Sequence, residues 1–153
     1  MAEIATCLWF DTAAEEAARC YVGLVPGSRL GRIRRPAADA PAVIVDFSLA
    51  GVPYLALSGG PQVRHSPAAS IVVTQPDQAS ADALWQAHLA AGSAEVRCGW
   101  MTDRWGLSWQ IVPAGLHDLL FGPDPGANAR AYACLQGQTR IDLAAIAAAA
   151  QGT

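Results

Sequence analysis

The chain has no run of about 18 apolar residues, so no membrane-spanning helix is expected from it. Charge is scarce. Charged residues make up 15% of the 153, and a net charge of −3 argues against nucleic acid or an anionic membrane as a partner. Cysteine is thin as well. Cys7, Cys20, Cys98 and Cys134 are widely spaced, with no Cys-x-x-Cys pair. That argues against a zinc site or a disulfide frame and favours reduced thiols, as small core filler, in a cytoplasmic protein. Met1-Ala2-Glu3 lacks the basic-then-apolar order of a signal peptide. Missing too are a Gly-x-x-x-x-Gly-Lys phosphate loop, a Gly-x-Ser-x-Gly elbow and a His-x-x-x-His pair.

What is present is apolar and periodic. Hydrophobic residues are 52% of the chain, enough for one compact domain, residues 1–153, with a sizeable core. Residues 4–10 form a β-leaning run. Asp11 and Thr12 then offer N-caps, with Thr12 and Glu15 at capping-box spacing. Ala14, Ala17, Ala18 and Tyr21 recur on one helical face, and Gly23 is the expected stop. Strands are predicted near residues 28–35, 42–49 and 52–57. Ala50-Gly51 suits the turn between the last two, and Pro53 marks an edge strand or a strand start.

The same order recurs. Residues 70–74 are β-branched, Pro76-Asp77 opens a helix with Ala81, Leu84, Trp85, His88 and Leu89 as its stripe, and Gly92 ends it. Strands are expected near 94–97, 99–102 and 107–112. The pattern is β-α-β-β-β twice, over about 3–58 and 69–113. Residues 114–153 form a helical tail. A short helix near 115–120 is followed by one capped by Asp124 with Pro125 in its first turn, and then by an alanine-dense helix over 141–150. Helices this short are marginal alone in water, so the tail is expected to pack on the body or on a partner chain.

The most specific stretch runs from Cys98-Gly99-Trp100 through Trp105-Gly106-Leu107-Ser108-Trp109-Gln110-Ile111-Val112-Pro113. It holds three of the five tryptophans on two apolar runs joined by a polar turn. Together with Cys7-Leu8-Trp9-Phe10-Asp11, Ala14-Glu15-Glu16-Ala17-Ala18, Tyr21, Leu55-Ala56-Leu57-Ser58-Gly59-Gly60-Pro61 and Trp85, it resembles the PhnB-like branch of the glyoxalase/bleomycin-resistance/dioxygenase family, the vicinal-oxygen-chelate fold. The resemblance implies an α+β fold of two βαβββ modules. Their mixed sheet curls around a cavity, usually in a homodimer.

In metal-holding members of that family, the first and last strands of each module supply His, Gln or Glu ligands to a divalent ion. By the resemblance, those positions fall here at Ala5 or Thr6, at Ala56 or Leu57, near Ser70, and at Gln110. Only Gln110 keeps a good donor oxygen, and a neutral amide anchors a transition metal weakly. No metal and no cofactor is therefore expected. Strand alternation puts Ser108 and Gln110 on one face and Trp109, expected to pack under a helix, on the other. Cys7, Trp9, Ser70, Trp100, Trp105, Ser108 and Gln110 are the cavity candidates, with His65 in a loop near the cavity mouth. His88 is expected to be structural and His117 a surface or capping residue. Arg29, Arg32, Arg34 and Arg35 either attract an anion or guard an edge strand.

The leading expectation is a homodimeric protein that binds a small organic ligand without a tight metal, and a separate reading is a protein that sequesters a flat aromatic compound. The alternative is a lyase, isomerase or dioxygenase of the same superfamily with a degenerate metal site, using Gln110, Ser70, Cys7 or His65 as polar groups. Such chains are sometimes labelled demethylubiquinone methyltransferases. No Gly-rich strand-to-helix turn for an adenosyl cofactor is visible here, so that activity is not expected.

Overall fold

The computed structural model describes residues 2–153; Met1, the start of the N-terminal segment considered above, lies outside them. The chain divides into two compact units, Met1–His65 and Ser66–Thr153. Each carries one four-stranded mixed sheet, and together they show the α+β pattern of two βαβββ modules.

The first unit contains β1 (Thr6–Phe10), α1 (Ala14–Leu24), β2 (Arg29–Arg34), β3 (Ile44–Leu49) and β4 (Val52–Ser58). The sheet order is β1-β4-β3-β2, parallel between β1 and β4 and antiparallel elsewhere. Leu8 and Phe10 alternate inward on β1, and α1 buries Ala14, Ala17, Ala18 and Tyr21 against the sheet. Small alanines let the helix approach closely, while Tyr21 meets the rings of Phe10 and Phe47 at 6.3 Å each.

Three local expectations change. The cap of α1 is Ala13, with no side-chain bond from Asp11 or Thr12. The Ala14 N–H instead donates to Ser58 Oγ at 3.2 Å, so the end of β4 satisfies the orphan amide. Gly23 lies inside the last turn of α1, and Val25 caps it. Pro53 sits at a strand start, but β4 is interior to the sheet, so the edge alternative fails. The Ala50-Gly51 turn has φ of 47° and 87°, which matches the right-handed twist of a tight hairpin. β2 is one of the two edge strands, β1 the other. Arg34 of β2 forms a two-pronged ion pair with Asp46, and the neighbouring Arg35 bonds Glu15.

The second unit contains β5 (Ser70–Gln75), α2 (Gln78–Ala90), β6 (Ala94–Glu95), β7 (Trp100–Thr102) and β8 (Ser108–Pro113), in the order β5-β8-β7-β6. Asp77 caps α2 by accepting from Ser80 N at 2.7 Å, and Ala81, Leu84, Trp85 and His88 form its buried face. The expected strand near residues 94–97 is cut to two residues. Cys98 (φ 59°) and Gly99 (φ 80°) turn the chain through the left-handed region directly before β7.

The tail forms α3 (Leu116–Leu120), α4 (Pro125–Gln136) and α5 (Leu143–Gln151). It packs on its own second unit. Val112 of β8 shares a cluster with Leu116, Leu120, Ala131, Leu135, Ile141 and Ile146, and at about 1.5–3 kcal/mol per large buried side chain this burial holds helices that propensity alone would not. Polar latches add direction: Gln78 donates to Ile141 O at 2.8 Å and accepts from Leu143 N at 3.0 Å, and Arg140 pairs with Asp82. The thiols are free; Cys7 is exposed, so it is not the core filler expected, whereas the half-buried Cys98 and Cys134 pack against the tail cluster. No helix among the described residues is long and apolar enough to cross a membrane.

Candidate functional site

Paired residues on neighbouring strands project to the same face, so the register decides which candidates meet. In the first unit, Leu8 and Phe10 point toward α1. Cys7 and Trp9 therefore lie on the opposite face, beside their partners Leu55 and Leu57. The face continues through Ile44 and Asp46. Trp9 is fixed there by its indole N–H, which donates to Gly60 O at 2.9 Å. Gly59 makes this possible, because a Cβ at that position would lie 2.3 Å from the Trp9 ring. Gly59→Ala is thus expected to displace the indole and to cost about 1–3 kcal/mol, the usual range for overpacking. An unchanged tryptophan emission spectrum together with unchanged urea stability would contradict this.

His65 is placed differently. It lies half-buried with its ring 5.3 Å from Phe10, on the strand parity that faces α1 rather than on that of Trp9. A groove of about 700 Å³ in this unit is lined by Ile4, Ala5, Arg34, Asp46, Tyr54 and Leu55, among others, and touches neither Cys7 nor Trp9. Burial there raises the Tyr54 phenol above its ordinary pKa.

The second unit brings more of the candidates together. Ser70 pairs with Ser108, and Gln110 lies between Val72 on one side and Trp100 on the other. Val96 continues the row, since its N–H donates to Trp100 O at 2.9 Å. The Gln110 amide donates to Ser70 Oγ at 2.8 Å. Ser108 is buried, whereas Gln110 and Trp100 are half-exposed. The face thus offers one amide, hydroxyls and an indole among apolar neighbours. Trp105 stands apart, in the turn between β7 and β8, with the Arg104 guanidinium stacked 4.3 Å from its ring centroid.

The opposite face of this sheet is structural. Trp109 is fully buried under α2, its ring 4.8 Å from that of His88. The residue that organises the turn, Asp103, is one that sequence reasoning missed. One carboxylate oxygen accepts from the backbone N–H of Trp105 and Leu107, and the other from Trp109 Nε1 at 3.0 Å. The Asp at the head of a polar turn was the only available signal. His88 is buried with its Nδ1 3.3 Å from Ser93 Oγ, and burial drives its pKa down to about 4 against a weaker opposing pull from Asp103. His117 is exposed beside Phe121.

The donor set does not fit a tightly held transition metal. On the first sheet, Ala56 pairs with Leu8 on the α1 face, and Leu57 lies on the open face but offers only carbon. On the second, the available groups are a hydroxyl and an amide already bonded to each other. Among the described residues, no three His, Cys, Asp or Glu side chains come together.

A family model described as 3-demethylubiquinone-9 3-methyltransferase matches residues 2–112. Among solved structures, a PhnB protein from Bacillus cereus is 25% identical with a TM-score of 0.66, over 74% of this chain and 100% of that one. A Pseudomonas aeruginosa protein is 20% identical with a TM-score of 0.60, over 74% of this chain and 98% of that one. An Arabidopsis thaliana gene product, 17% identical over 71% of this chain and 96% of that one, superposes with a TM-score of 0.54. These last two likenesses speak to the fold. A comparison with curated proteins returns no match. The helical tail beyond residue 112 lies outside the family match.

Proposed function

The chain belongs to the PhnB-like family described as 3-demethylubiquinone-9 3-methyltransferase, within the vicinal-oxygen-chelate superfamily, and from that premise we propose that it binds a small organic ligand without a tightly held metal ion. The observation that carries this reading is the bond between Gln110 and Ser70. At two positions where metal-holding members of the superfamily place His, Gln or Glu ligands, a neutral hydroxyl and a neutral amide satisfy each other beside Trp100. Such a face suits a flat, weakly polar molecule: the indole supplies contact area and the amide and hydroxyls fix orientation.

Methyl transfer from an adenosyl cofactor is not part of the proposal. That chemistry commonly rests on a Gly-rich turn from a parallel strand into a helix. Here the β1-to-α1 turn is Asp11-Thr12-Ala13 and the β5-to-α2 turn is Pro76-Asp77, neither with glycine, in sheets that each have one parallel pair. The homodimer is proposed from the family resemblance alone, and the cytoplasmic location from the free thiols.

Tryptophan fluorescence tests the reading. Naphthalene- and quinoline-type compounds are expected to quench emission saturably at micromolar concentration, and Gln110→Ala to weaken them by about tenfold, roughly the worth of one hydrogen bond. No response across a broad panel of such compounds would overturn it.

A further inference from the structure

At the β6 end of the second sheet, a pocket of about 500 Å³ is lined by Val96, Arg97, Cys98, Trp100 and Gln136. Val96, Arg97 and Cys98 lie in the segment leading into β7, Trp100 opens β7, and Gln136 comes from α4, beyond the stretch that the family model matches. The pocket is therefore built by the docking of the tail. That docking is firm. The N–H groups of Cys98 and Gly99 each donate at 2.8 Å to the carbonyls of Gln138 and Thr139, and the Cys98 thiol points at Leu135 O at 3.5 Å. Gly99 lets the tail approach, since a Cβ there would fall 2.5 Å from Ile141 Cδ1. The left-handed φ of 59° at Cys98, unfavourable for a residue with a side chain, is held by these contacts, and the neighbouring Arg97 is exposed.

The chemistry of the lining is one-sided. The Arg97 guanidinium, the Trp100 indole N–H and the Gln136 amide have no side-chain hydrogen bond or ion pair among the described residues. The first two are donors only, and the amide can donate as well. No carboxylate lines the pocket. Val96, at 46% exposure, and the half-exposed Trp100 ring supply an apolar floor. Uncommitted donors, a cation and an aromatic surface together match an anion attached to a flat apolar body.

We propose that this tail-built pocket binds a small aromatic carboxylate, its carboxylate on Arg97 and Gln136 and its ring on Trp100. The proposal rests on the small-ligand reading above and names the ligand class for the Trp100 end of that face.

The test uses the full chain with two probes of equal shape, 2-naphthoate and the neutral 2-naphthalenemethanol, followed by tryptophan fluorescence and by amide chemical shifts. Naphthoate is expected to bind at least about tenfold more tightly, the advantage of a charge-assisted bond. Arg97→Ala removes that advantage and leaves the neutral probe unchanged, while Arg97→Lys retains part of it. Shifts then concentrate at residues 96–100 and at Gln136. Equal binding of the two probes, indifference to Arg97→Ala, or shifts elsewhere overturns the carboxylate assignment while leaving the small-ligand reading intact. Failure of both probes and of the wider aromatic panel overturns both.

Discussion

Replacing Asp103 by alanine is expected to destabilise the protein by about 3–4 kcal/mol, because three donors lose one buried acceptor at about 1–3 kcal/mol each, with partial relaxation. Asp103 is only 8% exposed. Its two oxygens hold the backbone of the turn at Trp105 and Leu107 and the buried indole of Trp109. Domains of this size commonly have about 5–15 kcal/mol in total, so the loss is a large fraction. Asp103→Asn keeps one oxygen for the two backbone donors but presents an N–H₂ to the Trp109 indole, so it should cost about half as much. Urea unfolding measures both variants. A loss below about 1 kcal/mol for the alanine variant would show that the turn does not depend on this carboxylate.

His88 makes the folded state sensitive to acid. Its pKa is lowered from 6.5 to about 4, chiefly by burial, with the Asp103 carboxylate opposing. The unfolded chain therefore takes up this proton near the ordinary histidine value, and the folded chain only near pH 4. Between those values the unfolded state binds more protons, so stability is fully present above about pH 6.5 and is lost as pH falls toward 4, by about 3 kcal/mol in all. The ring has nowhere to place an added proton comfortably, because Nε2 is buried without a hydrogen-bond partner. His88→Gln removes the titration. Its stability between pH 7 and 4 should fall by about 3 kcal/mol less than that of the parent, the remainder coming from carboxylates. Parallel profiles for the two proteins would rule out the buried neutral imidazole as the source.

The periodic parts of the fold were legible because burial imposes them. The α1 stripe of Ala14, Ala17, Ala18 and Tyr21 is a buried face, and so is the α2 stripe of Ala81, Leu84, Trp85 and His88, while Leu89, expected to extend it, is only half-buried. Asp77 and Asp124 cap their helices by local bonds that the sequence displays directly. The α1 start was not legible in the same way. Its orphan amide finds Ser58, 44 residues away, and no local pattern announces so distant an acceptor. Pro53 was ambiguous for the same reason, since strand order and not strand composition decides what is an edge.

The candidate residues divide along similar lines. Alternation alone separates Gln110 from Trp109, and the structure keeps that separation. Bringing Ser70 and Trp100 to either side of Gln110 needs the β5-β8-β7 register, which is a long-range property. Arg97 carried no motif at all. Its position gains meaning only when Gln136 arrives from a helix 39 residues further along the chain.

The proposed function needs a face that takes a small molecule and holds no tight metal. Native mass spectrometry of protein purified without chelator and without added metal tests this most directly. The expected spectrum shows chains free of metal, with an additional small organic mass released on activation or restored by an aromatic carboxylate. One transition-metal ion per chain, retained through desalting, would contradict the account and shift the weight to metal-assisted chemistry.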